Sequence, residues 1–214
     1  TVAKEMKRAG YATGIVGKWG LSESNLDGMP TRQGFDYFFG YRTHVDAHHH
    51  YWPSLWRNES VIHIDGNEYL NTEGKYFHDL VSEDALGYIE KHQNEPFFLY
   101  VAFALPHYEL TVPQDSKDPY EKLGWPVEPR KKAHYRDDED GNVAYAGMVS
   151  RMDRDVGRIL DHLEELGLEK NTLVIFTSDN GGMMNLGGRN AVKKGHKMNG
   201  DLLGFKFGVW EGGH

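Results

Sequence analysis

Two lysines, one histidine and an adjacent aspartate–asparagine pair lie where this sequence could use them for chemistry. Lys18 and His107 each come shortly after an apolar run, and Asp179 and Asn180 follow a third run. Lys206 lies beyond them in a glycine-rich stretch. Lysine neutralises an oxyanion as a point charge, histidine can protonate a leaving oxygen, and carboxylate and amide oxygens suit a hard divalent cation. Together these groups suit the hydrolysis of an ester of a strong oxyacid.

Each of these residues also has an ordinary structural explanation. A lysine such as Lys18 is usually solvated, and a histidine such as His107 more often makes a structural hydrogen bond. Asp179 and Asn180, followed by two glycines, could form a polar turn after a core strand. The functional interpretation therefore depends on whether the fold brings these side chains to one place.

Three apolar runs predict the strands that would do so. These are Thr13–Val16, Phe97–Phe103 and Leu173–Phe176, and the last shows no polar alternation, as expected of a strand buried on both faces. Ligands of open α/β sheets bind outside the carboxyl ends of the strands. The sequence therefore predicts an α/β fold with a mostly parallel central sheet and a site at its carboxyl edge.

Three helices are predicted to flank this sheet. Apolar residues recur at helical spacing before Gly10, over Phe77–His92, and in a long segment capped by Asn142 and ended by Gly167. We expect residues 1–214 to form part of one domain, an internal fragment incomplete at both ends, because the sequence begins without Met and stops without a closing element.

Residues 21–75 show little periodicity but are dense in aromatic residues and histidines, which predicts a pocket-lining loop. His48, His49 and His50 resemble a metal cluster. Adjacent residues of an extended segment point to opposite sides, however, so these three cannot all bind one ion.

Composition narrows the possible partners. The 214 residues carry a formal net charge of −8 with both signs interspersed, so no basic surface for nucleic acid is indicated. No apolar run approaches the ~20 residues of a membrane span. The sequence has no Cys, which excludes disulfides, thiolate metal sites and a cysteine nucleophile within these residues.

Six motifs, in order along the whole chain, resemble those of the formylglycine-dependent sulfatases, the arylsulfatase branch of the alkaline phosphatase superfamily. They read AGYATGIVGKWGLS, GFDYFFGY, PFFLYVAFALPH, MVSRMDRDVGRIL, NTLVIFTSDNG and K-x-x-x-x-E-G-G. The resemblance implies an alkaline-phosphatase-like fold and a sulfuric ester hydrolase acting on a small-molecule or carbohydrate sulfate ester, in a periplasmic or extracellular setting.

The resemblance also implies roles for the residues of the predicted site. Asp179 and Asn180 would bind Ca2+, and Lys18 would contact the nucleophile and sulfate. His107 and Lys206 would bind sulfate and assist the leaving group.

Two features depart from the family pattern. The nucleophile motif, C-x-P-S-R or S-x-P-x-R, is absent, so the formylglycine is expected upstream of this sequence together with further calcium ligands. Gly20 stands where most members have a histidine, and we hypothesise that His196 or one of His48–His50 takes its role in binding substrate.

Two alternatives stay open. A phosphodiesterase or phosphatase of the same superfamily typically carries Asp-His after this strand, and the neutral amide oxygen of Asn180 suits calcium better than zinc. A catalytically inactive carbohydrate-binding relative would match the same motifs but lack the nucleophile.

Overall fold

The computed structural model describes residues 1–23, 25–69, 71–127, 135–136, 138–184 and 188–213. The chain forms two compact units. Among the described residues, the first unit comprises those up to Thr172 and the second those from Leu173 onward. Each unit is described separately below.

The first unit is built on a mixed five-stranded sheet. Its strands are β1 (Ala12–Lys18), β2 (Tyr37–Tyr41), β3 (Ser54–Arg57), β4 (Ser60–His63) and β5 (Phe97–Ala102). The spatial order is β4-β3-β2-β1-β5. The pairs β2–β1 and β1–β5 are parallel, whereas β2–β3 and β3–β4 are antiparallel. The predicted α/β fold class is confirmed, with its parallel part formed by three adjacent strands.

Helices surround this sheet. They are α1 (Val2–Arg8), α2 (Phe77–His92), α3 (Gln114–Glu121) and α4 (Gly141–Glu165), with short 3₁₀ turns at Pro30–Arg32, Asp46–His48 and Glu169–Asn171. None of the helices within the described residues combines the length and apolar character needed to cross a bilayer.

Alternation along the central strands divides the core between the two faces of the sheet. Val16 of β1 packs in one cluster with Val81 and Ala85 of α2. Its neighbour Ile15 points the other way and packs in a second cluster with Ala3 of α1. Because successive side chains of a strand point to opposite faces, β1 is buried on both sides and fixes the positions of the two helices.

The predicted helices are close to those observed. Helix α2 spans the predicted residues Phe77–His92, and Gly10, with a φ of 87°, follows α1 as predicted. The predicted cap of the long helix was wrong by two positions. Asp140 caps α4, because its carboxylate accepts hydrogen bonds from the backbone N–H groups of Asn142 and Val143.

The aromatic segment 21–75 contains three strands that the pattern did not predict as such. Strand β2 lies within the motif GFDYFFGY, and β3 and β4 form a short antiparallel pair. Strands of four residues, such as β3 and β4, are too short for a period of two to be recognised.

The prediction of a strand at Leu173–Phe176 is wrong. These residues belong to no strand of the described chain, and their exposed fractions range from 48% to 86%. Apolar, β-branched composition favours a strand only where a neighbouring strand and a packed face are present. Within the described residues, no sheet strand pairs with this segment, so the run stays exposed.

The second unit contains one short helix, α5 (Gly188–Lys193), and otherwise turns and extended segments. Loop-to-loop hydrogen bonds organise it. The side chain of Asn199 accepts a hydrogen bond from the backbone N–H of Gly182 and donates to the carbonyls of Gly204 and Gly212, at 2.8 to 2.9 Å.

Candidate active site

The three parallel strands bring their carboxyl ends to one edge of the sheet. In the register of the sheet, Lys18 at the end of β1 lies beside Tyr41 at the end of β2. Gly17 lies beside Ala102, the last residue of β5. The loops that follow β2 and β5 therefore begin next to Lys18, and they carry His48 and His107.

Glycines allow this close approach. A Cβ atom on Gly17 would overlap the carbonyl of Ala102, and one on Gly40 would overlap the carbonyl of Gly17. Gly17 also has a φ of 116°, which other residues rarely adopt. Gly17, the glycine of the G-K-W motif, therefore allows β1 to place the half-buried Lys18 at the carboxyl edge of the sheet.

The two loops place His48 and His107 against each other. Their rings are parallel within 7°, with centroids 5.2 Å apart. Two hydrogen bonds between the loops support the stack. The backbone N–H of Glu109 donates to the carbonyl of His48 at 3.2 Å, and Nε2 of His50 donates to the carbonyl of His107 at 3.3 Å.

A hydrogen bond within its own loop orients the ring of His107. Nδ1 of His107 lies 2.6 Å from the carbonyl oxygen of Tyr108. Because a carbonyl only accepts, Nδ1 carries the proton of this hydrogen bond. The neutral ring then has its lone pair on Nε2, so a proton taken up at that atom gives an imidazolium that can donate it again.

Buried polar groups lie beneath this stack. The carboxylate of Glu109 is fully buried and accepts hydrogen bonds from Nδ1 of His49, at 3.1 Å, and from the backbone N–H of Arg136, at 2.7 Å. Burial alone would raise the pKa of Glu109, but these hydrogen bonds and the charge of Arg136 lower it, so the carboxylate stays ionised. Burial lowers the pKa of His50 to about 4, which keeps that ring neutral as a hydrogen-bond donor.

Of the three adjacent histidines, only His48 lies on the candidate site. His49 binds Glu109, and His50 is completely buried. His48 ends a 3₁₀ turn and His49 is extended, so the segment is not uniformly extended as the prediction assumed, but the three side chains do contact different groups.

The second unit carries the remaining predicted residues. Asp179 is exposed and Asn180 is half-buried, in the segment that leads to Gly181 and Gly182. The backbone N–H of Lys206 donates to the carbonyl of Gly182 at 2.9 Å. This hydrogen bond brings Lys206 next to the segment that contains the predicted metal ligands.

The residues on either side of Lys206 are exposed. The exposed fractions of Phe205 and Phe207 are 43% and 81%. A turn replaces the extended segment, because Phe207 has a φ of 75° and the N–H of Gly208 donates to the carbonyl of Phe205 at 2.7 Å. Nζ of Lys206 lies 5.7 Å from the centroid of the Phe207 ring.

His196 is exposed in the second unit, and its backbone N–H donates to the carbonyl of Ala191. The predicted residues thus form two sets. Lys18, His48 and His107 lie in the first unit, whereas Asp179, Asn180, His196 and Lys206 lie in the second. Within the described chain, no group of three or more His, Cys, Asp or Glu side chains is arranged to hold a metal ion.

Two residues with a structural connection to the site were not recognised in the sequence. His44 lies beside His48, with 3.2 Å between their Nε2 atoms. Asn199 joins the segment of Gly182 to that of Gly212. The spacing of four between the histidines was a usable signal for His44, whereas no sequence pattern distinguishes Asn199 from other loop asparagines.

Known proteins resemble the chain over its whole length. The family model described as Sulfatase matches residues 1–214. An arylsulfatase of Hemicentrotus pulcherrimus is 31% identical over 236 aligned residues, which cover 100% of this chain and 36% of that protein. The Ulvan-active sulfatase of Formosa agariphila is 32% identical over 207 residues, covering 92% of this chain and 37% of that protein.

A solved structure shares the fold. The crystal structure of Ps i-CgsB in complex with k-i-k-neocarrahexaose gives a TM-score of 0.74 at 26% identity, over 99% of this chain and 45% of that chain. The chain spans little more than a third of the length of the curated relatives it matches. On the family match over residues 1–214, the chain belongs to the sulfatase family.

Proposed function

We propose that the protein containing this chain hydrolyses sulfate monoesters. The observation that carries the proposal is the sulfatase-family match over residues 1–214, which includes every residue of the candidate site. The geometry supports it, because the first unit presents a lysine and a stacked pair of imidazoles at the carboxyl edge of its parallel strands.

Each side chain has a role that its chemistry fits. Lys18, at the end of β1, neutralises charge on the sulfate and orients the nucleophile. His107 carries its Nδ1 proton toward the Tyr108 carbonyl, and as an imidazolium protonated from solvent it delivers its second proton from Nε2 to the leaving oxygen, returning to the neutral ring. Lys206 offsets the charge that builds on the bridging oxygen as the S–O bond breaks.

Asp179 and Asn180 are the proposed calcium ligands. A carboxylate and an amide oxygen are hard donors that fit Ca2+. The neighbouring Gly181 and Gly182 are packed closely against Gly212 and Met198, so they help to hold this segment in place. Bound calcium would polarise a sulfate oxygen as a Lewis acid. The remaining ligands and the formylglycine nucleophile are proposed to come from residues outside this sequence, which contains no Cys.

A sulfated carbohydrate is the proposed substrate. One relative is described as ulvan-active, and the structure of Ps i-CgsB holds a neocarrahexaose. Around His48, this chain places Tyr135 at a ring-centroid distance of 5.5 Å, and Tyr135 lies 5.5 Å from Tyr108. Such aromatic rings, beside imidazole donors, suit the apolar faces and polar edges of a sugar.

The proposal is tested with the enzyme expressed from its complete reading frame. We expect hydrolysis of an aryl sulfate and of sulfated oligosaccharides such as those of carrageenan or ulvan, with calcium in the purified protein. Hydrolysis of phosphate monoesters or diesters at a higher rate, together with bound zinc, would instead identify a phosphatase or phosphodiesterase. Binding of sulfated oligosaccharides without turnover would identify an inactive relative.

The 214-residue chain alone serves as a negative control. We expect it to show no sulfatase activity, because the proposed nucleophile and some of the calcium ligands lie outside it. Turnover of an aryl sulfate by this chain, abolished by Lys206→Ala, would contradict the assignment of the nucleophile.

A further inference from the structure

The carboxylate of Glu109 lies buried beneath the histidine stack, where a charge is costly. Within the described residues, Glu109 and Asp155 are the two carboxylates that are completely buried. Taking a charge out of water costs several kcal/mol, and replacing a buried ion pair by apolar residues is often neutral or stabilising. Asp155 joins α4 to α2, whereas Glu109 lies two residues after His107, the proposed proton donor. The contacts of the Glu109 carboxylate show what it holds in place.

One oxygen of Glu109 joins three segments of the first unit. Its Oε2 accepts a hydrogen bond from Nδ1 of His49 at 3.1 Å, and an ionised carboxylate can only accept. The same oxygen accepts a hydrogen bond from the backbone N–H of Arg136 at 2.7 Å, and Nε of Arg136 lies 3.4 Å from it. A single buried atom thus links the loop after β5 to the loop after β2 and to the segment that precedes α4.

The three adjacent histidines each make one hydrogen bond to the loop after β5. The carbonyl of His48 accepts from the backbone N–H of Glu109, and Nε2 of His50 donates to the carbonyl of His107. Both of these bonds end on the backbone of that loop. The bond from His49 is the one that ends on a side chain, the carboxylate of Glu109. Substitution of Glu109 therefore removes one of the three connections and leaves the other two groups in place.

The two oxygens of Glu109 have different surroundings. Oε1 is buried and has no hydrogen-bond partner within the described residues, whereas Oε2 accepts both hydrogen bonds. A glutamine could place its amide oxygen at the position of Oε2 and accept the same two hydrogen bonds. Glu109→Gln therefore removes the charge and keeps the connection between the loops, whereas Glu109→Ala removes both.

Resting on the proposed function, we infer that Glu109 is a positioning residue for proton donation by His107. Its Oε2 holds the loop after β5 against the loop after β2, so that Nε2 of His107 keeps a fixed position relative to the leaving oxygen. Glu109 acts through His49 and the backbone of Arg136, and its complete burial keeps it out of contact with the substrate.

The test compares turnover across aryl sulfates whose phenols differ in acidity, in the enzyme expressed from its complete reading frame. Glu109→Ala should lower turnover of esters with poor leaving groups by up to about 10²-fold, the usual effect of displacing a catalytic group by about 1 Å. Esters with good leaving groups should be affected far less. A less stable fold would instead lower the turnover of every ester equally. Glu109→Gln should recover most of the turnover that Glu109→Ala loses.

Glu95→Ala is the matched control. Glu95 also contacts a histidine, Nδ1 of His92 at 2.7 Å, but it precedes β5 and so lies at the opposite end of that strand from His107. It should keep wild-type turnover for every ester. If urea denaturation shows that Glu109→Ala does not fold, His49→Phe breaks the same contact from the other loop. That variant should then show the same dependence on the leaving group.

Nitrogen NMR of the histidine rings provides a measurement that needs no turnover. The ring signals of His107 should shift in Glu109→Ala and stay close to wild type in Glu109→Gln. An equal loss of turnover for every ester, or a loss in Glu109→Gln as large as in Glu109→Ala, would overturn the inference. Unchanged His107 signals in folded Glu109→Ala would also overturn it. If the wild-type enzyme hydrolysed no sulfate ester, the proposed function would fail, and the His107 signals would still decide whether Glu109 positions that ring.

Discussion

The imidazole rings of His48 and His107 lie face to face, with centroids 5.2 Å apart and planes inclined by 7°. They come from loops after β2 and β5, which lie on opposite sides of β1. Reciprocal hydrogen bonds between these loops hold the stack, one from the backbone of Glu109 and one from the ring of His50. These two hydrogen bonds therefore fix the position of His107, the proposed proton donor, relative to His48.

The first prediction concerns proton donation by His107. In the complete enzyme, His107→Gln should lower turnover of sulfate esters with poor leaving groups by ~10²–10⁴, the usual contribution of general acid catalysis. Esters with good leaving groups need little protonation and should be affected far less. The measurement compares turnover across aryl sulfates whose phenols differ in acidity.

His92→Gln is the control for this series. His92 ends α2, shortly before β5 begins, and so lies at the opposite edge of the sheet from the site. It should leave turnover unchanged for every ester. An equal loss across the whole series in His107→Gln would show that the ring binds sulfate and does not protonate the leaving group.

A second prediction concerns Asp155, which is completely buried between α2 and α4. Its carboxylate accepts hydrogen bonds from Ser82 at 3.1 Å and Arg154 at 2.8 Å, and lies 3.1 Å from Nε2 of His78. Burial alone would raise the pKa of Asp155, but His78 and Arg154 hold it well below the ordinary 3.8. This carboxylate therefore stabilises the fold above the unfolded-state pKa, and that stabilisation is lost as the pH falls through the lower folded-state value.

Asp155→Asn should accordingly lower the free energy of unfolding by about 3 kcal/mol at neutral pH, because partners are left buried and unpaired. In this variant, the free energy of unfolding should also decrease less steeply as the pH falls below about 4. Urea denaturation at several pH values measures both effects. Asp153→Asn, at an exposed position of the same helix, should reproduce the wild-type curve.

Sequence patterns correctly predicted the elements that have the same kind of burial along their whole length. Helix α2 carries an apolar stripe against one face of the sheet, so a period of 3.6 residues describes it over its full length. Strand β1 is buried on both faces, and Ile15 and Val16 form the apolar centre of the short segment predicted as a strand. The carboxyl edge of the sheet, with Lys18 and His107, follows from these elements and the parallel pairing.

What the sequence could not predict depends on distant partners. The segment Leu173–Phe176 has the composition of a core strand, yet a strand forms only where another strand accepts its hydrogen bonds. Likewise, the pairing of His44 with His48 depends on a 3₁₀ turn at Asp46–His48. The path of the loop around Lys206 depends on a hydrogen bond to Gly182, which no periodicity reveals.

The exposed apolar segment leads to a third prediction. Leu173 and Ile175 are 86% and 76% exposed, and β5 ends the sheet with one unpaired edge among the described residues. Unpaired edges and exposed β-branched residues promote association between chains. The 214-residue chain alone should therefore form oligomers or aggregates in light scattering, and Ile175→Lys should reduce them. A monomeric wild-type chain with a cooperative melt would contradict this prediction.

A fourth prediction concerns Asn180 as a calcium ligand. In the complete enzyme, Asn180→Asp adds a negative charge beside Asp179, which should repel the sulfate more than it weakens calcium binding. The KM for an aryl sulfate should rise while the calcium content stays close to wild type. Metal analysis of the purified variants provides the comparison, with Asn190→Asp at an exposed position of α5 as the control. Stoichiometric zinc in the active wild-type enzyme would rule out the calcium assignment.

The last prediction concerns Lys206. Its backbone N–H binds the carbonyl of Gly182, three residues after Asp179, which places Lys206 next to the proposed metal ligands. An ammonium at this position can stabilise the charge that develops on the bridging oxygen when the S–O bond breaks. A contact that strengthens in the transition state affects turnover more than substrate binding. Removing such a group typically costs ~10²–10³ in rate, so Lys206→Ala should lower turnover by that factor.

Lys206→Arg should recover little of this turnover, because a planar guanidinium does not replace a compact charge. Lys197→Ala is the matched control, since Lys197 belongs to the same unit but forms an exposed ion pair with Asp201 at 2.8 Å. Exposed pairs of this kind contribute little, so that variant should keep wild-type kinetics. If Lys206→Ala also stayed within about threefold of wild type, far short of the expected electrostatic effect, Lys206 would be a surface lysine with no part in catalysis.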